Sequence, residues 1–432
     1  MNVAVIGMGY VGTTMSVALG LDGHQVFGIE KDKKKIQSLE QGSLPIYEDG
    51  LEEKLRELLL SKQISFSQYI SAINSCSVVM IAVGTPASED GRADLTYVKK
   101  VASQIGKHMK SEKLIVIKST VPVGTGDVVK QIIDQELRRR GVDIPFEIIS
   151  NPEFLREGRA LQDARNPDRI VIGCTSSSAK KTMEALYQSH IDKLYFTTVR
   201  NSELIKYASN AFLATKISFA NELARLSEKV GANITDVTKG MGMDNRIGTQ
   251  FLQAGIGYGG SCFPKDTDAL LQIGKDAGID FTLLQAVKNV NDTQVKWFLN
   301  KVETTIEGLA NKKIAVLGLT FKPHTDDIRE SPAIRILDFL LHKKARVSAY
   351  DPKGIPAMQR IFPDVTYSAD PLEAVDQANA VILATEWPDI VKMDWDMALR
   401  KVVNPILFDG RNVVESHLLR GWDYYGVGVC VS

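Results

Sequence analysis

The chain has 432 residues, of which 44% are hydrophobic and 24% are charged, and its formal net charge is zero. These values predict a soluble globular protein of two or three domains, without the charged field that attracts nucleic acid or a membrane surface. No apolar run is long enough to span a bilayer, and Met1-Asn2 leads into an apolar segment without a basic leader, so we expect a cytoplasmic protein. The cysteines lie far apart without a Cys-Xaa-Xaa-Cys pair, which favours neither a metal site nor disulfides: Cys76, Cys174, Cys262 and Cys430.

A strand followed by a glycine-rich turn opens the chain. Residues 2–7 are apolar and β-branched, which is typical of a parallel strand buried on both faces. Gly7, Gly9 and Gly12 follow in a Gly-Xaa-Gly-Xaa-Xaa-Gly spacing, and an apolar helix is expected through Leu19. The glycines allow a tight turn and let a pyrophosphate approach the N–H groups at the helix N-terminus. The pattern predicts a dinucleotide-binding unit, with a turn that binds nothing as the alternative.

The second strand, residues 24–29, ends at an acidic residue, Glu30. A carboxylate at this place accepts hydrogen bonds from the adenosine ribose hydroxyls and repels a 2′-phosphate. We therefore expect NAD rather than NADP. Several lysines nearby weaken this choice, because one of them can reach a phosphate: Lys31, Lys33, Lys34 and Lys35.

Two later strands end in small and hydroxyl-bearing residues. Residues 76–83 lead into Gly84-Thr85-Pro86, and residues 114–118 lead into the segment 119–125. Ligands bind at the carboxyl ends of strands in open parallel sheets, which makes both segments candidates for a binding site. A single Ser or Thr here is also a common helix N-cap, which is the alternative for Ser119, Thr120 and Thr125.

Residues 147–150 predict a further strand, and Asn151-Pro152-Glu153-Phe154-Leu155-Arg156-Glu157-Gly158 follows it. Asn151 can cap a helix, Pro152 suits its first position and Gly158 can end it, so we expect a short helical turn. Glu153 and Glu157 would then share one face, which is unfavourable unless a ligand uses the two charges. A solvated surface turn is the alternative. A strand at residues 168–173 is expected to finish the first domain.

A long helix is predicted from Asn201 to Val230, because no Gly or Pro interrupts its helical periodicity. Lys206 and Asn210 are four residues apart and share one face. Such a pair can hold a developing oxyanion, although most helical lysines are solvated. We expect this helix to join two domains and to contribute to a dimer contact.

The segment 257–266 combines three glycines with Cys262, Lys265 and Asp266. A thiol becomes a good nucleophile when nearby cations favour the thiolate, and Lys265 or another lysine can do this. Asp266 can hold a water or move a proton. The alternative is a buried structural cysteine beside a glycine turn.

The last part of the chain predicts a second α/β unit. A helical segment at 267–300 precedes a strand at 312–319, but Gly318-Leu319-Thr320-Phe321-Lys322-Pro323 replaces the glycine spacing of the N-terminus. We therefore expect no second dinucleotide site. Further strands are predicted at residues 346–350, 380–384 and 405–408. Lys322 and Arg411 lie at strand ends and are candidates for contacts to the phosphates of a second nucleotide.

Taken together, these motifs resemble the nucleotide-sugar dehydrogenases, and among them the UDP-glucose 6-dehydrogenases. The similarity covers essentially the whole chain, and its most specific parts are 119–125, 151–158, 259–266, 321–323 and 329–331. Two residues depart from the family pattern. Asp49, in Pro45-Ile46-Tyr47-Glu48-Asp49-Gly50, stands where proline is expected, and Ala164 stands where an aromatic residue is common.

The resemblance implies an α/β fold with two Rossmann-like doubly wound domains joined by a long central helix and a helical middle domain. The implied domains are an NAD-binding domain at 1–200, a central dimerisation domain with the cysteine loop at 201–310, and a UDP-sugar-binding domain at 311–432. The implied partners are a small-molecule substrate, UDP-glucose, and a second copy in a homodimer.

The resemblance also implies a four-electron oxidation of UDP-glucose that reduces two NAD⁺. Cys262 would form a thiohemiacetal and then a thioester, Lys206 and Asn210 would hold the oxyanion, and Glu153 would assist the hydrolytic water. Thr120 and Asp266 would position a water that relays protons.

The remaining implied roles are binding contacts. The implied cofactor contacts are Gly7, Gly9, Tyr10, Val11, Gly12, Glu30, Lys35, Thr85, Thr120, Glu157, Lys265 and Arg329. The implied substrate contacts are Glu153, Phe154, Leu155, Arg156, Lys206, Asn210, Arg246 (supplied by the partner subunit), Tyr258, Gly259, Lys322 and Arg411.

Three other interpretations stay open at this point. The same chemistry can act on GDP-mannose or on a UDP-N-acetylhexosamine. A two-electron β-hydroxyacid dehydrogenase shares the first domain and the long helix but needs neither Cys262 nor a third domain. A non-catalytic NAD-binding regulator has no use for the combination of Thr120, Lys206, Asn210, Cys262 and Asp266.

Overall fold

The computed structural model describes residues 1–44 and 46–429. Pro45, part of the segment with Asp49, and Cys430 lie outside the described residues. The chain divides into two compact units, one of residues 1–209 with 268–277 and the other of residues 210–267 with 278–432. Each unit is built around one sheet of its own. The predicted domain boundaries near residues 200 and 310 stay predictions.

The first unit contains an eight-stranded sheet. Its strands are β1 (Asn2–Ile6), β2 (Gln25–Ile29), β3 (Ile64–Ser67), β4 (Val78–Ile81), β5 (Lys113–Ile117), β6 (Phe146–Ser150), β7 (Ile170–Gly173) and β8 (Leu194–Thr197). They lie in the order β3-β2-β1-β4-β5-β6-β7-β8, and only the pairing of β6 with β7 is antiparallel. This is a Rossmann-like arrangement, and it places the carboxyl ends of β1, β4 and β5 at one edge.

Helices cover both faces of this sheet. They are α1 (Tyr10–Leu21), α2 (Lys33–Glu40), α3 (Leu51–Leu60), α4 (Thr96–His108), α5 (Thr125–Arg140), α6 (Ala160–Arg165) and α7 (Ser177–Leu186). Alternate residues of β1 belong to different cores: Val3 and Val5 pack into one, and Ala4 and Ile6 into the other. Burial on both faces explains why these strands are continuous apolar runs.

Four helices fill the middle of the sequence. They are α8 (Val199–Val230), α9 (Ile234–Gly242), α10 (Phe263–Asp276) and α11 (Thr282–Ile306). The long helix predicted from residue 201 to 230 is confirmed as α8. The single helical segment expected at 267–300 was wrong, because the chain breaks between α10 and α11, where Gly278 has a φ of +73°. No helix in the described part of the chain has the length and apolarity needed to cross a membrane.

The second unit contains a six-stranded, fully parallel sheet. Its strands are β9 (Lys313–Leu317), β10 (Arg346–Tyr350), β11 (Thr366–Tyr367), β12 (Ala380–Leu383), β13 (Ile406–Asp409) and β14 (Asp423–Gly426), in the order β11-β10-β9-β12-β13-β14. Its helices are α12 (Pro332–His342), α13 (Ile355–Ile361), α14 (Pro371–Val375), α15 (Pro388–Val391) and α16 (Trp395–Lys401). The strand order repeats that of the first six strands of the first sheet, which confirms the prediction of two Rossmann-like sheets.

Two local predictions in the first unit were wrong. Residues 151–156 are not helical, because the Asn151 side chain does not cap a helix but accepts hydrogen bonds from Lys118 and Tyr187. The strand at β7 does not complete the sheet, because β8 pairs with it in parallel. The strands β8 and β11 contain no fully buried residue, so they lack the buried apolar run by which other strands were predicted.

Candidate active site

The backbone of the glycine turn after β1 is tightly packed at Gly7 and Gly12 but unobstructed at Gly9. Gly7 has a φ of +97°, and a Cβ added to Gly12 would lie 1.8 Å from the Gly7 carbonyl oxygen, so α1 approaches β1 as closely as only glycine allows. A Cβ at Gly9 would meet no heavy atom within 4 Å. Gly9 also directly precedes α1 and offers no side-chain cap. This open backbone at a helix N-terminus fits the pyrophosphate of a dinucleotide.

Glu30 directly follows β2, as expected for a ribose-binding carboxylate. It accepts a hydrogen bond from the N–H of Met8 at 3.2 Å, within the glycine turn. The Lys35 ammonium lies 3.3 Å from the same carboxylate oxygen. Lys35 therefore neutralises Glu30 in this structure. This pairing fits a site for the adenosine end of NAD.

Thr85 and Thr120 come together at the carboxyl ends of β4 and β5. The Thr85 hydroxyl donates to the Thr120 carbonyl oxygen at 2.8 Å. Ser119 donates its hydroxyl to the carbonyl of Val83 at 2.6 Å, and Thr125 donates to Pro122 at 2.6 Å. None of the three residues 119, 120 and 125 is an N-cap, because Gly124 holds that position for α5. The N-cap alternative was therefore wrong.

A buried ion pair connects the segment after β6 with α8. The Lys206 ammonium lies 3.3 Å from the Glu153 carboxylate, and both side chains are less than a tenth exposed. The Phe154 ring lies beneath the same ammonium, with its centroid 5.2 Å away. Buried charges persist only when paired, so this geometry fixes Lys206 and Glu153 against each other.

Lys118 is a residue that the sequence analysis missed as a functional candidate. It directly follows β5, is 5% exposed, and donates to the Asn151 side-chain oxygen at 3.2 Å. Burial lowers the pKa of Lys118 to about 8, with Glu153 acting in the opposite direction and Lys206 adding to the decrease. The signal available in the sequence was a lysine at the carboxyl end of an apolar strand, immediately before Ser119-Thr120.

In the second unit, Asp266 is buried and held by two neighbours. Asn210 donates its side-chain N–H to one carboxylate oxygen at 2.6 Å, and Lys265 donates to the other at 2.5 Å. Asp266 is 1% exposed and Asn210 is 6% exposed. Asn210, Lys265 and Asp266 thus lie together, with Asp266 at the centre.

Cys262 lies directly before the first residue of α10. The N–H of Asp266 donates to the Cys262 carbonyl oxygen at 2.8 Å, which closes the first turn of the helix. The Ser261 hydroxyl lies 3.7 Å from the Cys262 sulfur. Cys262 is half-buried, whereas Cys76 and Cys174 are buried, and burial raises the pKa of both of those thiols. Cys262 is therefore the thiol best placed to react among the three described cysteines.

The glycines before Cys262 pack tightly against the loop that follows β9. A Cβ at Gly259 would lie 2.0 Å from the Glu330 carbonyl oxygen, and one at Gly260 would lie 2.6 Å from the Phe321 ring. Tyr258 packs edge-on against Phe263 with ring centroids 5.7 Å apart. These contacts fix the backbone that presents the thiol.

Arg411 borders a small cavity of about 110 Å³ in the second unit. Its guanidinium donates to the carbonyl oxygens of Ala384, Gly257 and Phe321, at 2.8, 3.3 and 3.1 Å. Glu386 lies 3.4 Å from the guanidinium. Arg411 thereby connects the glycine segment to the second sheet.

Three predicted arginines are instead paired with nearby aspartates. Arg156 binds Asp163, Arg246 binds Asp244 and Arg329 binds Asp327, each with a closest contact of 2.6 Å. Their side chains are more than half exposed, and Arg246 is 89% exposed. Exposed pairs of this kind are weak, so they do not prevent the arginines from binding a phosphate.

The other predicted contacts have mainly apolar surroundings. Val11 and Leu155 pack against the core of the first sheet, as does Ala164. The Lys322 ammonium lies 5.4 Å from the centroid of the Phe321 ring. Glu157 lies close enough to Tyr10 for its charge to help keep the Tyr10 pKa raised, although burial is the main cause.

Family models match along most of the chain. The NAD-binding domain of the UDP-glucose/GDP-mannose dehydrogenase family matches residues 1–191, its central domain matches 200–293, and its UDP-binding domain matches 315–416. The chain belongs to this family. It is therefore an NAD-dependent dehydrogenase, which agrees with the open glycine turn and Glu30. The suggested non-catalytic regulator is thereby disfavoured.

Similar proteins support the same assignment over the full length. The chain is 44% identical to UDP-glucose 6-dehydrogenase TuaD of Bacillus subtilis, over 99% of this chain and 93% of that protein. A UDP-glucose dehydrogenase from Pyrobaculum islandicum is 38% identical, with a TM-score of 0.93 over 99% of this chain and 98% of the other. A UDP-D-ManNAc dehydrogenase from Pyrococcus horikoshii is 26% identical, with a TM-score of 0.87 over 99% of both chains.

Proposed function

We propose that this family member oxidises UDP-glucose to UDP-glucuronate in a four-electron reaction that uses two NAD⁺. The observation that carries the proposal is the half-buried thiol of Cys262, directly before α10 and four residues from the buried carboxylate of Asp266. An alcohol oxidation alone does not need a thiol, whereas the oxidation of an aldehyde does, because a nucleophile must add before a hydride can leave. The names of the relatives at 38–44% identity support the choice of sugar nucleotide.

In the first oxidation, Lys206 and Asn210 hold O6 of the sugar as its proton leaves and negative charge develops. The ammonium of Lys206 has three donors, and the Asn210 amide has a second N–H besides the one given to Asp266. Each such donor contributes about 3 kcal/mol to a transition state. Thr120 and Asp266 hold the water that takes the proton. Bound NAD supplies the hydride acceptor for each of the two oxidations.

In the second oxidation, the Cys262 thiolate forms a C–S bond with the aldehyde carbon, and Lys206 and Asn210 hold the resulting oxyanion. Loss of a hydride from that carbon restores the C=O bond and leaves a thioester. Water then attacks the carbon, Glu153 takes a proton from it, and the C–S bond breaks to release the acid and the thiol. The N-terminus of α10 favours the thiolate, because its unpaired N–H groups carry partial positive charge.

The proposed binding contacts are divided between NAD and the sugar nucleotide in the way that the family resemblance implies. We propose that the glycine turn, Tyr10, Val11, Glu30 and Lys35 bind the adenosine and pyrophosphate of NAD, and that Thr85, Thr120, Glu157, Lys265 and Arg329 bind its nicotinamide half. The proposed contacts to the sugar nucleotide are Phe154, Leu155, Arg156, Tyr258, Gly259, Lys322 and Arg411, with Arg246 of the partner subunit. The cavity beside Arg411 supports a nucleotide contact there.

The proposed homodimer uses one face of α8. Phe212, Phe219 and Leu226 are seven residues apart, which places them along one stripe, and they are 66%, 49% and 55% exposed. A stripe of large apolar side chains on a long helix is typical of a buried interface with a second copy. Sedimentation should give twice the chain mass of 47.6 kDa, and a monomer would contradict the dimer.

The location and the pathway are further parts of the proposal. A reduced, catalytic thiol suits the cytoplasm, where disulfides are rare. The acidic product would serve as a sugar donor for polysaccharide biosynthesis. The proposed domains remain residues 1–200, 201–310 and 311–432.

The experiment that tests the proposal counts NADH formed per UDP-glucose consumed. We expect two NADH from the intact protein. In Cys262→Ser the second oxidation should be lost, because a hydroxyl is a much weaker nucleophile than a thiolate. Cys174→Ala is the matched control: it also removes a thiol, but a buried one, and should still give two NADH.

Other stoichiometries each contradict a different part of the proposal. One NADH from the intact protein would indicate a two-electron dehydrogenase. Two NADH from Cys262→Ser would show that Cys262 is structural and that no thioester forms. Turnover of GDP-mannose or a UDP-N-acetylhexosamine but not of UDP-glucose would keep the chemistry and change the substrate.

A further inference from the structure

The segment Tyr47-Glu48-Asp49-Gly50 has no role in the function described so far, yet Glu48 is 6% exposed. The Tyr10 hydroxyl donates a hydrogen bond to the Glu48 carboxylate. The N–H of Gly158 donates to the same carboxylate oxygen and to the Tyr10 hydroxyl oxygen, each at 2.8 Å. The N–H of Leu161 approaches the other oxygen of Glu48 at 3.4 Å. One buried carboxylate thus joins three segments that are far apart in sequence.

The two ends of this cluster belong to different binding segments. Tyr10 lies between the second and third glycines of the turn that closes on α1. Gly158 ends the segment 151–158, whose Glu153 pairs with Lys206. Gly158 has a φ of +79°, so its backbone conformation is one that few other residues adopt. Hydrogen bonds through Glu48 therefore connect the glycine turn to Gly158, which lies five residues along the chain from Glu153.

Within the described part of the chain, the donors on Glu48 are backbone N–H groups and a tyrosine hydroxyl, and no cation pairs with it. A buried carboxylate held in this way is sensitive to the position of every donor, because each lost hydrogen bond leaves a costly unsatisfied group. The Tyr10 pKa is raised well above its usual value, mainly by burial and then by the Glu48 carboxylate, so the hydroxyl stays a donor. A shift of the glycine turn must therefore be followed by Gly158, or the cluster breaks.

We propose that Glu48 is a positioning residue that couples the binding of NAD to the binding of the sugar nucleotide, through Tyr10 on one side and Gly158 on the other. The inference rests on the proposed function, because it takes UDP-glucose as the second ligand. Coupling between two sites is a free energy, and it works in both directions. Binding of either ligand tightens the segment that the other ligand needs, so each ligand should raise the affinity for the other.

NADH and UDP-glucose test this coupling, because the reduced cofactor permits no turnover. The measured quantity is the dissociation constant of NADH without and with saturating UDP-glucose, followed by NADH fluorescence. In the intact protein we expect UDP-glucose to tighten NADH binding by about fivefold or more, within the usual range of coupling. In Glu48→Ala the ratio should fall to about twofold or less, while each ligand still binds alone.

Glu52→Ala is the matched control. Glu52 holds the same stretch of chain, since it accepts from the Leu44 N–H at 3.2 Å and pairs with Arg56, but it contacts neither Tyr10 nor Gly158. This variant should keep the coupling ratio of the intact protein. Loss of coupling in Glu52→Ala as well would overturn the proposal, because general loosening of the segment would then explain the effect.

Tyr10→Phe cuts the cluster at its other end and keeps Glu48, so it serves if Glu48→Ala does not fold. It should also lower the ratio. An unchanged ratio in either folded variant, or a ratio of one in the intact protein, would overturn the proposal. If UDP-glucose does not bind at all, the proposed substrate fails together with the inference, whereas binding without coupling defeats the inference alone.

Discussion

Gly7 and Gly318 occupy the same place in the two sheets. Each follows the strand that lies third in the order of its sheet and has a positive φ, +97° for Gly7 and +91° for Gly318. Each also donates its N–H at 2.8 Å to the carbonyl of the last residue of the neighbouring strand, Ile29 or Tyr350. In the first unit α1 begins three residues after this glycine, whereas in the second unit α12 begins only at Pro332. The same arrangement of strands is therefore followed by a helix N-terminus in the first unit and by a loop in the second unit.

The acidic residue that follows the neighbouring strand, Glu30 after β2 and Asp351 after β10, also has different partners in the two units. Glu30 accepts from the N–H groups of Met8, Lys31 and Asp32 and from the Lys35 ammonium. Asp351 is 2% exposed and accepts from the N–H groups of Leu319 and Thr320 and from the indole of Trp387, at 2.6, 3.0 and 3.0 Å. In both units the surrounding backbone donates to this carboxylate, and the second unit adds a tryptophan indole where the first has a lysine ammonium. This difference teaches that strand order alone does not make a dinucleotide site.

In each sheet a buried charged residue lies at the carboxyl end of the strand that is fifth in the strand order, and the two charges have opposite sign. Lys118 follows β5, and Asp409 is the last residue of β13. Four backbone N–H groups of residues 411–414 donate to Asp409, at 2.8 to 3.0 Å, and burial still raises its pKa. Lys118 has the Asn151 oxygen at 3.2 Å. The anion is anchored by its own loop, whereas the cation lies beside the proposed catalytic pair.

Gly12→Ala should have the largest effect on stability. The new Cβ would lie 1.8 Å from a backbone oxygen that cannot move away, so either α1 or the turn must shift. We expect a loss of about 4 kcal/mol or more in the free energy of unfolding, or no folded protein at all. Pro323→Ala, at the corresponding spacing after Gly318, is the control and should cost much less. A mild effect of Gly12→Ala in urea unfolding would show that the close approach is not required.

Asp351→Ala should come next. It removes the acceptor of four backbone N–H groups, those of Leu319, Thr320, Lys353 and Gly354, while the Trp387 indole keeps the Thr320 hydroxyl as its other acceptor. The loss should cost about 4 kcal/mol. Glu30→Ala should cost less than about 1 kcal/mol but weaken NADH binding about tenfold. Thermal unfolding and NADH titration of both variants measure the difference. Equal losses of stability would contradict the division into a structural and a ligand-binding carboxylate.

A pH dependence should appear at Lys118. Its pKa in the folded protein, about 8, lies below the ordinary 10.5, so between these values the unfolded chain binds more protons and stability rises with pH. From pH 7 to 9.5 the folded protein should gain about 2 kcal/mol from this group. Lys118→Met is the control, and the difference between the two proteins in urea unfolding should change by that amount. A constant difference would show that Lys118 has an ordinary pKa.

Gly9→Ala should have the smallest effect on the fold. The added Cβ meets nothing within 4 Å, so the unfolding temperature should be nearly unchanged. The same methyl group occupies the space proposed for the pyrophosphate, so NADH should bind about tenfold more weakly. Together with Gly12→Ala, this variant separates the glycine that closes the turn from the glycine that leaves it open. Unchanged NADH binding would place the pyrophosphate elsewhere.

Much of this protein was determined by local sequence. The strands β1, β5, β10 and β12 and the length of α8 follow from apolar runs and helical periodicity, which act over a few residues. The absence of a second dinucleotide site, expected from the missing glycine spacing after β9, stays a prediction.

Only the tertiary structure decided the rest, because it depends on partners that are distant in the chain. Asn151 follows β6 in a non-helical segment since Lys118 and Tyr187 occupy its side chain, and no local pattern shows those two contacts. Glu48 is buried because Tyr10, Gly158 and Leu161 reach it from 38 to 113 residues away. Hydrogen bonds that satisfy a buried charge are made where the fold brings donors together, and local propensity does not contain that information.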